Sequence, residues 1–271
     1  MRSLRRISKD AEQRYEVIAE TNAHEKEVTA GADYKDCFRK ANIRRTEATA
    51  MVWAIQMICG STLMYFATVF FEEAGLETDM AYTLTPVLYA VGCAGTFVSW
   101  FLVARVGRKT LYAGGNALMA AILFSMGIAG IFYNSQVARW AAAILLIAFT
   151  LVYDCTVGPV CYCLVGELPS SRLKQKTVPL ARCVYLVLSI VMNILVPRML
   201  GNDADEWHWG SKSGFFFGGG CLLALLWTYF RLPETKNKSV QEIDGIFERL
   251  RAEKEGKSMG RETFAARYLE A

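Results

Sequence analysis

Histidine is almost missing from this chain: His24 and His208 are the only two among 271 residues. Both lie outside the long apolar runs, so no His/Asp set or Ser-His pair stands ready for acid–base or nucleophilic chemistry. No enzyme is expected. Cysteine is not scarce, with eight, but metal-ligand spacing is absent. Cys161 and Cys163 are two apart with no histidine near them, so neither zinc nor another metal or cofactor is expected. Cys59, Cys93, Cys155, Cys161, Cys163, Cys183 and Cys221 fall in apolar stretches and read as free thiols acting as small hydrophobes. A large charge imbalance is also lacking. A net charge of +4 argues against nucleic acid as a main partner. Finally, the first 47 residues hold no apolar signal-peptide core, so no cleavable signal is expected and the first apolar run is read as its own insertion signal.

What is present is a series of long apolar runs with charge confined to their flanks. They cover about 48–71, 81–103, 111–133, 140–165, 178–200 and 214–230. A spanning helix needs roughly 20 mostly apolar residues, because the hydrocarbon core is about 30 Å thick. The runs are apolar all round, as buried or lipid-facing helices are. They are too long and too little alternating for barrel strands. The expected fold is all-α and integral to the membrane, with six transmembrane helices. Residues 1–47 read as a polar segment with short helices, including a helix-compatible stretch at Asp10–Glu27, and 232–271 read as a charged, partly helical tail.

Lysine and arginine set the expected orientation. All but three of the 30 fall in the N-terminal segment, the connection after the second run, the region Leu168–Arg182 or the tail. The exceptions are Arg139, Arg198 and Lys212. By the positive-inside rule both termini are cytosolic. The acidic connections Glu72–Asp79 and Asp203–Glu206 then lie outside.

Three motifs punctuate this pattern. The first is Val103-Ala104-Arg105-Val106-Gly107-Arg108-Lys109 between the second and third runs. The second is Gly158-Pro159-Val160-Cys161-Tyr162-Cys163-Leu164-Val165-Gly166-Glu167, with Arg172 and Lys174 just beyond. The third is Pro233-Glu234-Thr235-Lys236-Asn237-Lys238 after the last run. In order and in membrane side they resemble the Arg-x-Gly-Arg-Lys, Gly-Pro-x-x-Trp-x-x-x-x-Glu and Pro-Glu-Thr-Lys signatures of the sugar porters of the major facilitator superfamily. The Glu-Leu-Pro-Ser-Ser-Arg-Leu stretch at 167–173 is most similar to fungal hexose and alpha-glucoside permeases. The resemblance covers about residues 1–250 and corresponds to the central cytosolic loop plus the last six of that family's twelve helices.

The resemblance implies transport of a sugar, hexose or alpha-glucoside disaccharide, proton-coupled in the full-length family. This chain is then a half-length or truncated member, with the fungal plasma membrane as its expected location. Its partners would be the sugar, the lipid bilayer and a second six-helix half or a second copy. A non-transporting regulator or sensor derived from a carrier is the alternative, as is an inactive fragment.

Candidate residues follow in two groups. Arg108, Lys109, Glu167, Arg172, Lys174 and Glu234 sit at the basic ends of the runs, where opposite charges could latch that side shut; plain topological anchoring is the competing reading. Glu167 favours the latch, being acidic on a side that selects bases. Ala104 stands where the family has an acid, so one partner is lost. For the sugar, Asp154 is the one acid well inside a run, and an ionisable group there is costly. Gln56 matches the family's first glutamine and offers both donor and acceptor. Tyr162 takes the place of the family's tryptophan. Tyr185 and Ser189 stand where hexose carriers have asparagine, while Met57, Thr62 and Gly92 replace further polar positions. Fewer amides favour a disaccharide or an atypical polyol or sugar. Structural hydrogen bonding and packing compete for each of these residues. Gly214 and Gly218 are four apart, as in close helix crossings. Gly158-Pro159 and Pro197 are expected to interrupt their helices, as gating segments in transporters do.

Overall fold

In the computed structural model, residues 31–39, 42–132, 134–170, 172–201, 206–238, 242–247 and 249 are described. The stretch Asp10–Glu27 lies outside them, as do His24 and most of the acidic connection before Trp207. The described chain is helical. In order it forms α1 (Tyr34–Cys37), α2 (Ile43–Ile58), α3 (Ser61–Tyr65), α4 (Ala67–Glu73), α5 (Thr78–Arg105), α6 (Arg108–Ile131), α7 (Gln136–Cys155), α8 (Val157–Glu167), α9 (Lys174–Leu200), a single 3-10 turn (Gly210–Lys212) and α10 (Ser213–Arg231). Residues 242–247 add a helical stretch.

Among the described residues, five helical units are long and apolar enough to cross a membrane: α5, α6, α7 with α8, α9, and the 3-10 turn with α10. The first apolar run differs from its expected single helix. It is cut into α2, α3 and α4: Gly60, whose φ of +92° places it in the left-handed region, closes α2 as a C-terminal glycine does, and Phe66 (φ −101°, ψ 25°) separates α3 from α4. The Phe217 ring packs where a Gly60 side chain would stand. The 16 residues of α2 rise only about 24 Å, short of a hydrocarbon core.

The break between α7 and α8 falls at Thr156 (φ −128°, ψ −84°), two residues before the expected Gly158-Pro159. Proline explains the offset. Residue 159 would donate its N–H to the Cys155 carbonyl in an unbroken helix, but proline has no N–H and its ring crowds that carbonyl. The kink is therefore displaced to the peptide after Cys155, and Pro159 sits in the first turn of α8, where no N–H is needed. Pro197 behaves otherwise: α9 continues through it to Leu200.

Polar side chains within these helices largely satisfy themselves. The hydroxyls of Thr83, Thr85, Thr96, Ser125, Thr150 and Thr156 each donate to the carbonyl four residues back. Hydrocarbon offers no water to take their place. The core is aromatic and thioether-rich, with Phe70, Phe71, Tyr112, Phe149, Phe217, Met119 and Met126 fully buried. A polar thread runs through it. Tyr112 donates to the Val52 carbonyl at 3.0 Å, Asn116 to Tyr112 O at 2.9 Å, and Cys59 to Asn116 Oδ1 at 3.2 Å. These bonds tie α6 to α2, which fixes the register of the helix that carries Trp53 and Gln56.

α6 packs between α7 and α10, α5 lies on α7, and α9 lies on α2. Glycines set the closest approaches. A side chain at Gly214 would strike the Leu123 carbonyl, and one at Gly220 would meet the Ile58 backbone. Gly92 and Gly95 let α5 lie directly on the Leu151–Asp154 turn of α7.

At the end of the bundle that holds Arg108, the flanking segments fold back. Arg45, at the start of α2, pairs with Asp244 and lies 4.9 Å from the Phe247 ring. Arg45→Ala is expected to detach 242–247 at a cost of about 2 kcal/mol, a buried-pair loss discounted because Asp244 is partly exposed. Faster amide exchange confined to 242–247 is the check; unchanged exchange there refutes it.

Candidate functional site

The N-terminus of α6 leaves backbone N–H groups without intrahelical acceptors. Glu234, three residues beyond α10, supplies one. Its carboxylate accepts from Arg108 N at 2.8 Å and Lys109 N at 3.2 Å, and from Thr235 N and Lys236 N at 3.1 Å each. The helix dipole favours an anion at that position. A side chain at Gly107 would crowd the carboxylate and force it to shift. Glu167 ends α8 with Oε1 3.3 Å from Arg108 Nη2, and it also accepts the Thr235 hydroxyl. Lys109 Nζ reaches the Tyr229 carbonyl at 2.9 Å.

Four of the six charged candidates thus meet, and they join α6, α8 and the segment after α10. Two do not join them. Arg172 lies 3.9 Å from Asp36 instead, and Lys174 is exposed with no ion pair among the described residues. Lys236, which sequence reasoning passed over, donates to the Arg105 carbonyl and closes the loop from the other side.

The sugar candidates separate in the same way. Tyr162 on α8 and Tyr185 on α9 both lie edge-on to Trp53 of α2, with ring centroids 5.1 and 5.2 Å away. Gln56, one turn further along α2, is 3% exposed and donates to the Gly158 carbonyl at 3.4 Å. Its amide therefore bridges α2 to α8 close behind the rings. Asp154 stands elsewhere, on the α5–α7 crossing, its carboxylate packed over Gly92. It makes no hydrogen bond or ion pair among the described residues.

Two members of the aromatic group were missed. Arg182 lies over the Tyr185 ring at 4.1 Å and the Trp53 ring at 4.5 Å. Its Nη1 and the Trp53 Nε1 are buried donors without a hydrogen-bond partner among the described residues. The sequence carries a signal for it: Arg182 lies inside the apolar run 178–200, where a charge is costly. The arrangement is a wall of three aromatic rings and a cation, with two unspent donors. Tyr162 is 62% exposed and forms its open edge. The exposed Tyr162 ring can stack on the C–H face of a pyranose, with Trp53 and the Arg182 cation packed behind it.

The family model described as sugar (and other) transporter matches residues 1–247. The alpha-glucosides permease MPH3 of Saccharomyces cerevisiae is 40% identical over 225 residues, which span 82% of this chain and 37% of that protein. The maltose permease MAL31 of the same yeast is 38% identical over 231 residues, 85% of this chain and 37% of the permease. Among solved structures, the proton:xylose symporter XylE bound to 6-bromo-6-deoxy-D-glucose superposes with a TM-score of 0.65 at 24% identity, covering 74% of this chain and 42% of that one. The inward-open xylose transporter XylE from E. coli gives 0.61 at 20% identity, over 90% and 48%. At these identities the solved structures bear on the fold alone, which is that of the major facilitator superfamily. The chain spans less than half the length of these relatives. It is a membrane-embedded protein of a carrier family and not of an enzyme family: the chain belongs to the sugar (and other) transporter family.

Proposed function

We propose that this chain forms one sugar-binding half of a carrier for a hexose or an alpha-glucoside disaccharide, and that the wall of Trp53, Tyr162, Tyr185 and Arg182 is its sugar-contacting face. The wall is the observation that carries the reading. A polyhydroxylated ring needs an aromatic face, and these rings come together from three different helices, with Tyr162 at the open edge. The yeast relatives named for maltose and alpha-glucosides point to the same substrate class.

In this reading α2, α3 and α4 together make the first of six crossings, and 48–231 is the transmembrane bundle. The segments 1–47 and 232–271 are cytosolic, so the Glu167–Glu234 cluster is a cytosolic latch and the location is the plasma membrane. Gln56 couples sugar contact on α2 to the kinked α8. Asp154, on the α5–α7 crossing, is the group of this half best placed to take part in proton coupling. Transport needs a complementary six-helix half or a second copy to close the cavity, as expected when two halves alternate access around one site.

Uptake of radiolabelled maltose and glucose in carrier-deficient yeast tests this. The chain is expressed alone and beside an N-terminal six-helix half of an alpha-glucoside permease, with insertion checked separately. Saturable uptake that Tyr162→Ala lowers about tenfold, equivalent to ~1.4 kcal/mol, is the expected result. No uptake in either setting from inserted protein sinks the proposal.

A further inference from the structure

A second concave site lies at the end of the bundle opposite the Glu167–Glu234 cluster, away from the aromatic wall on α2, α8 and α9. It is a cavity of about 430 Å³ between the end of α4, the end of α6, the start of α7 and residues 208–212, lined by Glu73, Arg139, His208, Trp209, Ser211 and Lys212 among others. We infer that this cavity is a second carbohydrate-binding site, an outer station for a mono- or disaccharide distinct from the central one. The inference rests on the reading that the chain handles sugar.

Three observations carry it. The volume falls within the range of small-molecule sites. The polar lining is mixed in sign and in hydrogen-bonding sense. Lys212 donates and the Ser211 hydroxyl can do both, while Glu73 and Arg139 add charge of both signs to the lining, Arg139 donating to the Gly75 carbonyl at 3.2 Å. Ser211 is 7% exposed, lines the cavity and makes no side-chain hydrogen bond among the described residues. Hydroxyl groups match such a set. A simple anion would face the Glu73 carboxylate, and an apolar ligand would strip the charges of water without replacing it. Trp209 adds a ring braced by Trp207 at 5.3 Å between centroids, and such a ring can stack on a pyranose.

The placement of charge adds weight. Only Arg139, Arg198 and Lys212 among the 30 lysines and arginines fall on the side read as outer, and two of these three line this one cavity. The positive-inside bias disfavours bases there. Arg139 has a structural partner in the Gly75 carbonyl at 3.2 Å, and Lys212 is the base the cavity would use where a sugar is captured before it reaches the central wall.

The test is calorimetric titration of maltose and of glucose into the full chain in lipid nanodiscs. The variants are Trp209→Ala, Trp209→Phe, Lys212→Ala and Tyr162→Ala. Two saturable components are expected. Trp209→Ala should weaken one of them about tenfold, Trp209→Phe much less, and Lys212→Ala measurably, while Tyr162→Ala affects only the other. Lys212 is exposed, so its variant reports on binding even if a tryptophan variant folds poorly. Unchanged isotherms in both Trp209→Ala and Lys212→Ala overturn the outer site and leave the central one standing. The same holds if Tyr162→Ala abolishes all binding. Loss of a component in the Trp209 and Lys212 variants, with none lost in Tyr162→Ala, supports the outer site and counts against the central wall. No binding to the unaltered chain overturns both.

Discussion

Gly214→Ala is expected to destabilise the bundle by about 2–3 kcal/mol, while the same change at Gly219, five residues along the same helix, is expected to stabilise it slightly. The difference lies in what a methyl group meets. At Gly214 it would strike the Leu123 carbonyl and come within 2.9 Å of the Gly127 nitrogen. Both are backbone atoms of α6, which cannot swing aside as a side chain can. Relief requires α10 to move off α6, and overpacking of this kind typically costs 1–3 kcal/mol. At Gly219 nothing lies within 4 Å, so alanine gains roughly the 0.5–1 kcal/mol by which it outranks glycine in a helix. Gly220 should follow Gly214, since the Ile58 backbone blocks it, whereas Gly218 faces only the Phe124 ring and should cost less. Thermal unfolding of the four alanine variants in one detergent gives the ranking. Equal midpoints for Gly214→Ala and Gly219→Ala would show that the α6–α10 crossing is not set by these glycines.

Glu234→Ala should cost about 3 kcal/mol and loosen the end of the bundle where α6 begins. One carboxylate there accepts four backbone N–H groups, two of them the first of α6. Hydrogen bonds to a charged group contribute about 1.5–3 kcal/mol each in isolation. Partial exposure lets water replace some of them, which sets the total well below the sum. Glu234→Gln should lose less, since one carboxamide oxygen still accepts while its amide group faces donors. Amide exchange at Arg108 and Lys109 is the direct measurement. Exchange that stays slow in Glu234→Ala would mean that α6 is capped by other means. Because Glu167 and Arg108 share the cluster, Glu167→Gln combined with Glu234→Ala should be non-additive. If the latch proposal holds, the same variants shift the carrier toward a state open on that side.

Much of this was legible in one dimension because the bilayer imposes a strict rule. Apolar runs about 20 residues long must become helices, since nothing else satisfies their backbone in hydrocarbon. That is why α5, α6, α7 with α8, α9 and α10 stand close to where the runs predicted them. The first run failed the simple reading, because a glycine can close a helix by adopting positive φ and residue type alone does not say whether it will. The displaced kink at Thr156 shows a different limit: Pro159 breaks its helix near the carbonyl that lost its donor, while Pro197 does not break α9, and residue type alone does not tell the two apart.

The candidate residues divide along the same line. Arg108, Glu167 and Glu234 could be picked out in sequence because their motifs flank the apolar runs, and the three meet in the fold. Their partners were not readable. Glu234 reaches across 126 residues to Arg108 N, and Arg172 turns to Asp36 instead of Glu167. Trp53 passed as one more apolar residue and Arg182 as one more inside charge; only the meeting of α2, α8 and α9 makes them a wall. Sequence alone determined the class of fold, the family and the charged segments, because those depend on run length, composition and local motif. The tertiary structure decided which helices touch, which glycines are indispensable and which side chains share a site, because these depend on contacts between residues far apart in the chain.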